Sequence, residues 1–103
     1  MKLVNLTARP LAISGRQPIP PSGQIAKITS RLENVQLVDG VFIVAAVDKK
    51  SEGIPPVSPG TYYIVPAYVR AAFPERKDLV SPAIQVKDKD GNVIKCKMLE
   101  ANP

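Results

Sequence analysis

Proline constrains this chain more than any other residue type. Eleven of its 103 residues are proline. They fall in two clusters, QPIPPSG over residues 17–23 and IPPVSPG over 54–60, and singly at positions such as Pro66, Pro74 and Pro82. Proline cannot donate to a sheet ladder or sit inside a helix, so the prolines read as frequent loop punctuation and the two clusters as extended connections. The hydrophobic share of 45% and charged share of 22% are ordinary globular usage, which argues for one folded domain rather than a disordered chain.

Residues 1–6 start a strand, 7–10 turn, and 11–14 pair back or continue the edge. Residues 25–30 alternate as a short strand. The clearest hairpin follows. Residues 35–38 and 41–47 flank Asp39-Gly40, a dipeptide suited to the positive φ values of a type I′ turn. The expected register sets Val38 against Val41, Leu37 against Phe42 and Val35 against Val44. The second strand, VFIVAAV, is apolar on both faces and reads as central and fully covered. Residues 48–53 read as a polar loop. Residues 61–65 form a strand, and up to two turns of helix follow between Pro66 and Phe73.

Residues 84–87 and 93–98 form a last hairpin. A bulged loop with Gly91 in the left-handed position pairs Lys87 with Val93, Val86 with Ile94 and Ile84 with Cys96. That register turns Ile84, Val86, Ile94, Cys96 and Met98 inward. The fold expected is all-β, a small antiparallel barrel or sandwich of about six or seven short strands with one short helix. It spans residues 1–99, with 100–103 frayed.

The absences are informative about chemistry. The chain has no histidine, which removes Ser-His-Asp and Cys-His arrangements and histidine-based metal sites. It contains neither GxxxxGK[ST] nor GxGxxG. Asp88 and Asp90 before Gly91 suggest a calcium loop, but Val86 and Lys97 then occupy its first and twelfth positions, so a hairpin turn is the reading and no metal is expected. No cofactor and no enzymatic activity are expected. The lone Cys96 reads as a buried, inert thiol and fits a reducing compartment. With no apolar run long enough for a signal peptide or a membrane span, the expected location is the cytoplasm, and Asn5-Leu6-Thr7 reads as a chance glycosylation match.

Four of the five aromatic residues lie in the segment 61–82, where the pattern switches from strand to helix to charged loop. Tyr62, Tyr63, Tyr68, Arg70, Arg76, Lys77 and Asp78 are the candidate binding surface, since tyrosine and arginine concentrate in binding hot spots. The same residues equally suit a local core closed by its own salt-bridged loop. Lys87, Lys95 and Lys97 form a candidate basic face on the last hairpin, grouped with Gln85. It suits an acidic partner or a phosphate backbone, or else simply deters strand addition. A protein partner is the first expectation. A small nucleotide or anion held by Arg70, Arg76 and Lys77 is the second, and nucleic acid on the lysine face the third. The net charge of +5 is spread along the chain.

The succession Asn5-Leu6-Thr7, IPPSG at 19–23, GTYYIV at 60–65, PERKDLVSP at 74–82 and DGNVIKC at 90–96 resembles a family of small uncharacterised proteins of phages, prophages and bacterial genomes. Members often begin NLTPH. Here Ala8-Arg9-Pro10 follows the threonine, so any role of that histidine does not carry over. The resemblance implies a compact domain in a phage or prophage setting and no established activity.

Overall fold

The computed structural model describes residues 1–103. Its regular elements are β1 (Lys2–Asn5), β2 (Lys27–Val38), β3 (Val41–Glu52), β4 (Thr61–Ile64), α1 (Ala67–Ala72), β5 (Leu79–Lys87) and β6 (Val93–Ala101). The protein is thus rich in strand with one short helix, but the expected antiparallel barrel or sandwich is not what the strands build. They form two largely open sheets, one of four strands in the order β1-β4-β5-β6 and one of two strands, β2-β3.

The four-stranded sheet is mixed. β1 runs parallel to β4 and β4 parallel to β5, while β5 and β6 are antiparallel. A parallel pair needs a crossover, and the switch of pattern in residues 61–82 supplies it. β4 ends, Pro66 opens α1 in extended backbone at φ −60 and ψ 151, and β5 returns alongside. Apolar side chains cover both faces of this sheet. On one side Leu6, Ala26, Tyr63, Val65, Val69 and Leu79 are buried together, with α1 supplying Val69. On the other, Ile64 and Val80 pack with Ile19, the anchor of the first proline cluster. Residues 11–22 also cap the two edges of the sheet. The Ser22 amide donates to the Asn5 carbonyl beside β1, while the Cys96 amide donates to the Ala12 carbonyl and the Ser14 amide to the Cys96 carbonyl beside β6.

The β2-β3 hairpin stands apart. Its strands are twelve residues each, about 40 Å at the usual rise per residue, and none of the backbone hydrogen bonds outside regular elements involves residues 27–52. Ile28, at the base, packs on the main core. The strand expected at 25–30, the hairpin and the polar loop 48–53 are therefore one continuous arm. The expectation that VFIVAAV lies covered in the centre of a sheet is overturned: Val41, Phe42, Ile43 and Val44 are all exposed. Turn and near register follow the sequence, with Asp39 at φ 49, Gly40 at φ 77 and the pairs Val38–Val41 and Leu37–Phe42. Beyond them a bulge between Asn34 and Gln36 sets Asn34, rather than Val35, opposite Val44. A second irregularity lies between Thr29 and Arg31, opposite Asp48 at φ 54.

The last hairpin also departs from expectation. Lys87 pairs with Val93 as anticipated, but a bulge between Val86 and Lys87 moves Lys95 opposite Val86 and Cys96 opposite Gln85. Cys96 is buried, whereas Ile84, Ile94 and Met98 are half-exposed instead of facing inward. Ile84 itself adopts φ 53, left-handed backbone that a β-branched residue seldom takes. Residues 100–103, expected to fray, instead extend β6 through Ala101 and bury Asn102.

Only thirteen residues are buried. The radius of gyration is 16.5 Å, where a compact domain of this length comes to about 13 Å. The excess comes from hairpins that project from a small two-faced sheet.

Candidate binding surfaces

The residues of the 62–78 segment are used mostly inside the fold. Tyr63 is buried against the core, and Tyr62 is half-buried beside Ile19, Ile64 and Val80. Arg70 reaches from α1 to the end of the sheet: Nε donates to Ser81 Oγ at 2.8 Å and Nη1 to Asn102 Oδ1 at 3.1 Å, with Glu100 Oε1 3.6 Å from Nη2. Asn102 answers with Nδ2, which lies 3.2, 3.1 and 3.0 Å from the carbonyl oxygens of Arg70, Phe73 and Arg76. Each of these carbonyls also accepts a backbone amide, from Phe73, Arg76 and Leu79 respectively, so the Asn102 amide braces the succession of turns that follows α1.

Arg76 and Asp78 form a bidentate pair, Nε to Oδ1 and Nη2 to Oδ2, both at 2.8 Å. Nη2 also donates to the Pro55 carbonyl at 3.0 Å, which ties this loop to the second proline cluster. The Arg76 hydrogen bonds hold the Asp78 carboxyl below its ordinary value, and Asp78 raises the Arg76 guanidinium in return. Lys77 extends over the surface to the carbonyls of Pro74 and Pro103. Only Tyr68 among the three tyrosines of the group stands free, 65% exposed on α1.

An open depression of about 390 Å³ lies between Met1, residues 57–62 and residues 75–78. The side chains of Glu75, Arg76, Lys77 and Asp78 balance in charge there, and Arg76 is already paired bidentately with Asp78. Nothing there presents a free guanidinium to an anion. The structure brings Arg76, Lys77, Asp78 and Tyr62 together around this depression and leaves Tyr63, Tyr68 and Arg70 out of it.

Lys87, Lys95 and Lys97 are all exposed. Cross-strand partners share a face, so Lys87 lies beside Val93 and Lys95 beside Val86. Gln85, two residues before Lys87 on β5, shares its face with Lys87, Val93 and buried Cys96, while Lys95 and Val86 lie on the other face. The bulge therefore divides the expected lysine face, leaving Lys87 on one side of the hairpin and Lys95 with Lys97 on the other.

The largest exposed apolar surface is on the arm, which the reading of motifs overlooked. Along the arm the paired residues alternate between two faces. One face carries Val38, Val41, Ile43, Ala45 and Val47, with Arg31 ion-paired to Glu33 at 2.6 Å and Asp48 at 2.9 Å. The other carries Leu32, Leu37, Phe42, Val44 and Ala46, with Asn34 its one polar member and Val35 in the adjoining bulge. On that second face Leu32 is 66% exposed, Val35 62%, Leu37 59% and Phe42 64%. The signal in the sequence was the spacing of proline: none of the eleven lies between residues 22 and 54.

Cys96 is a free, buried thiol, and no three metal-ligating side chains gather into a group. No helix is long and apolar enough to cross a membrane. Comparison with protein-family models, with curated proteins and with solved structures gives no match in any of the three.

Proposed function

We propose that this protein is a non-enzymatic module that binds other protein surfaces through its projecting β2-β3 arm. The observation that carries the reading is the arm's second face, where Leu32, Val35, Leu37 and Phe42 are each more than half exposed in one continuous patch. Monomeric proteins seldom leave contiguous apolar patches of several hundred Å² in water, and those that do use them for association. The arm's open edges add unpaired backbone donors and acceptors, which sheet edges normally hide and which residues 11–22 cover in part on the main sheet. The motif resemblance supports an accessory role of phage or prophage type, and the buried single thiol supports a reducing, cytoplasmic setting.

The surface at 62–78, first in line from sequence, has less support, because Arg70 and Arg76 are committed to internal partners. The same commitment weakens the anion-binding reading, and the division of Lys87 from Lys95 and Lys97 between the two faces of the hairpin weakens the nucleic-acid one. Carboxylate catalysis by Asp78 is disfavoured by its bidentate lock.

A photo-crosslinking amino acid placed at Leu37 tests the proposal inside cells. Irradiation should join the arm to a second polypeptide, whereas the same probe at exposed Arg9 should not. If Leu37 yields no more adduct than Arg9, the arm is not a docking element.

A further inference from the structure

We infer that the apolar face of the arm is covered by the same face of a second copy of this chain. The inference rests on the reading of the arm as a protein-docking element and names its occupant. Three observations favour a copy of itself.

The first is area. Leu32, Val35, Leu37, Phe42 and Val44, at 66, 62, 59, 64 and 46% exposure, present on the order of 600 Å² per arm, so two arms face to face withdraw about 1,200 Å², the threshold of specific stable interfaces. The second is charge. Lys27, Arg31, Lys49 and Lys50 balance Glu33, Asp39, Asp48 and Glu52 within residues 27–52, so the arm is neutral and the whole net charge of +5 resides elsewhere. Two copies that meet by their arms avoid the like-charge repulsion other approaches incur. A neutral arm also offers no attraction to a polyanion or an anionic lipid surface.

The third is architecture. An isolated two-stranded hairpin is at best marginal in water, and a further layer of strands is the usual remedy. Two arms stacked at about 10 Å supply that layer, each burying the other's stripe. A two-fold axis through the middle of the face brings Asn34 close to its counterpart, where each amide can donate to and accept from the other. The opposite face carries the Arg31, Glu33 and Asp48 ion pairs in its half nearer the core, as well as exposed Val38, Val41 and Ile43, and in this arrangement stays in solvent.

Sedimentation velocity of the purified full chain from about 1 to about 200 μM brackets the affinities expected of such an interface. The mass should climb from the 11.1 kDa of one chain toward twice that value. Leu37→Asp combined with Phe42→Asp should hold it at one chain, and Val41→Asp, on the other face, should behave as the unmodified protein. Should the double variant not fold, Asn34→Cys decides: mild oxidation should link two copies through that position, whereas Lys50→Cys should stay unlinked. A single-chain mass at every concentration, or loss of association with Val41→Asp alone, overturns the inference. A single-chain mass together with photo-adducts from Leu37 to other proteins overturns the second copy and keeps the docking reading; failure of both removes both.

Discussion

Two asparagines organise more of this molecule than any charged residue does. Asn5 is buried at the end of β1, donates from Nδ2 to the carbonyls of Arg9 and Ile19, and accepts from the Thr7 amide and hydroxyl. The Asn-Leu-Thr motif is thus an internal turn lock, and a buried side chain with every site occupied leaves no room for a glycan. Asn102 does the corresponding work for α1. Asn102→Ala removes the amide that braces three carbonyls, each of which keeps its backbone donor, and one of the three partners of the Arg70 guanidinium, and should cost about 1–2 kcal/mol in a urea titration. Asp78 has a pH signature. Its folded value lies below the 3.8 of an unperturbed aspartate, chiefly through the Arg76 hydrogen bond. The folded state therefore binds this proton less readily than the unfolded chain. The pair's contribution is present above 3.8 and is lost as the pH falls through the lower, folded value. Asp78→Asn should cost about 2 kcal/mol at neutral pH and flatten the acid limb of a stability–pH curve. A residual slope should remain from Asp88, whose carboxylate accepts from the Asn92 and Asp90 amides. The salt-bridged loop was one of two readings the sequence left open, and the partners of the two asparagines were not legible in it. Arginine and tyrosine side by side look like a hot spot whether they face out or in, and an asparagine's partners are settled only when distant carbonyls converge on it.

At the scale of elements, local features were readable and non-local ones were not. Asp39-Gly40 fixed its turn and the adjacent pairs because a two-residue loop leaves little choice of register. The bulges at 34–36 and 86–87 have no glycine or proline to announce them, so each register slipped one residue past them. The parallel pairing of β1 with β4 joins residues on either side of the whole arm, and no periodicity encodes it. The arm's exit is tightly built. Gly53, at φ 76, passes so close to the arm's entry that a Cβ would lie 2.2 Å from the Ile25 carbonyl oxygen. Gly53→Ala combines that clash with left-handed backbone and should lower stability by about 2 kcal/mol or more. The measurement is the urea midpoint with the slope unchanged, and a variant as stable as the parent would mean that the arm's base is not fixed there.

For the whole molecule, the misleading feature was the apolar run in β3. A strand hydrophobic on both faces reads as the middle of a sheet, and within one chain that inference fails: Val41 to Val44 project into solvent on a hairpin with no backbone tie to the core. On the proposed reading, the burial that this pattern encodes is supplied by a second polypeptide. Amide hydrogen exchange as a function of protein concentration tests this most directly. In dilute solution the amides of β2 and β3 should exchange by local opening far faster than those of β4 and β5, and at high concentration they should gain at least tenfold protection while β4 and β5 stay unchanged. Arm amides as protected as the core at every concentration, or as exposed at high concentration as at low, would contradict the account.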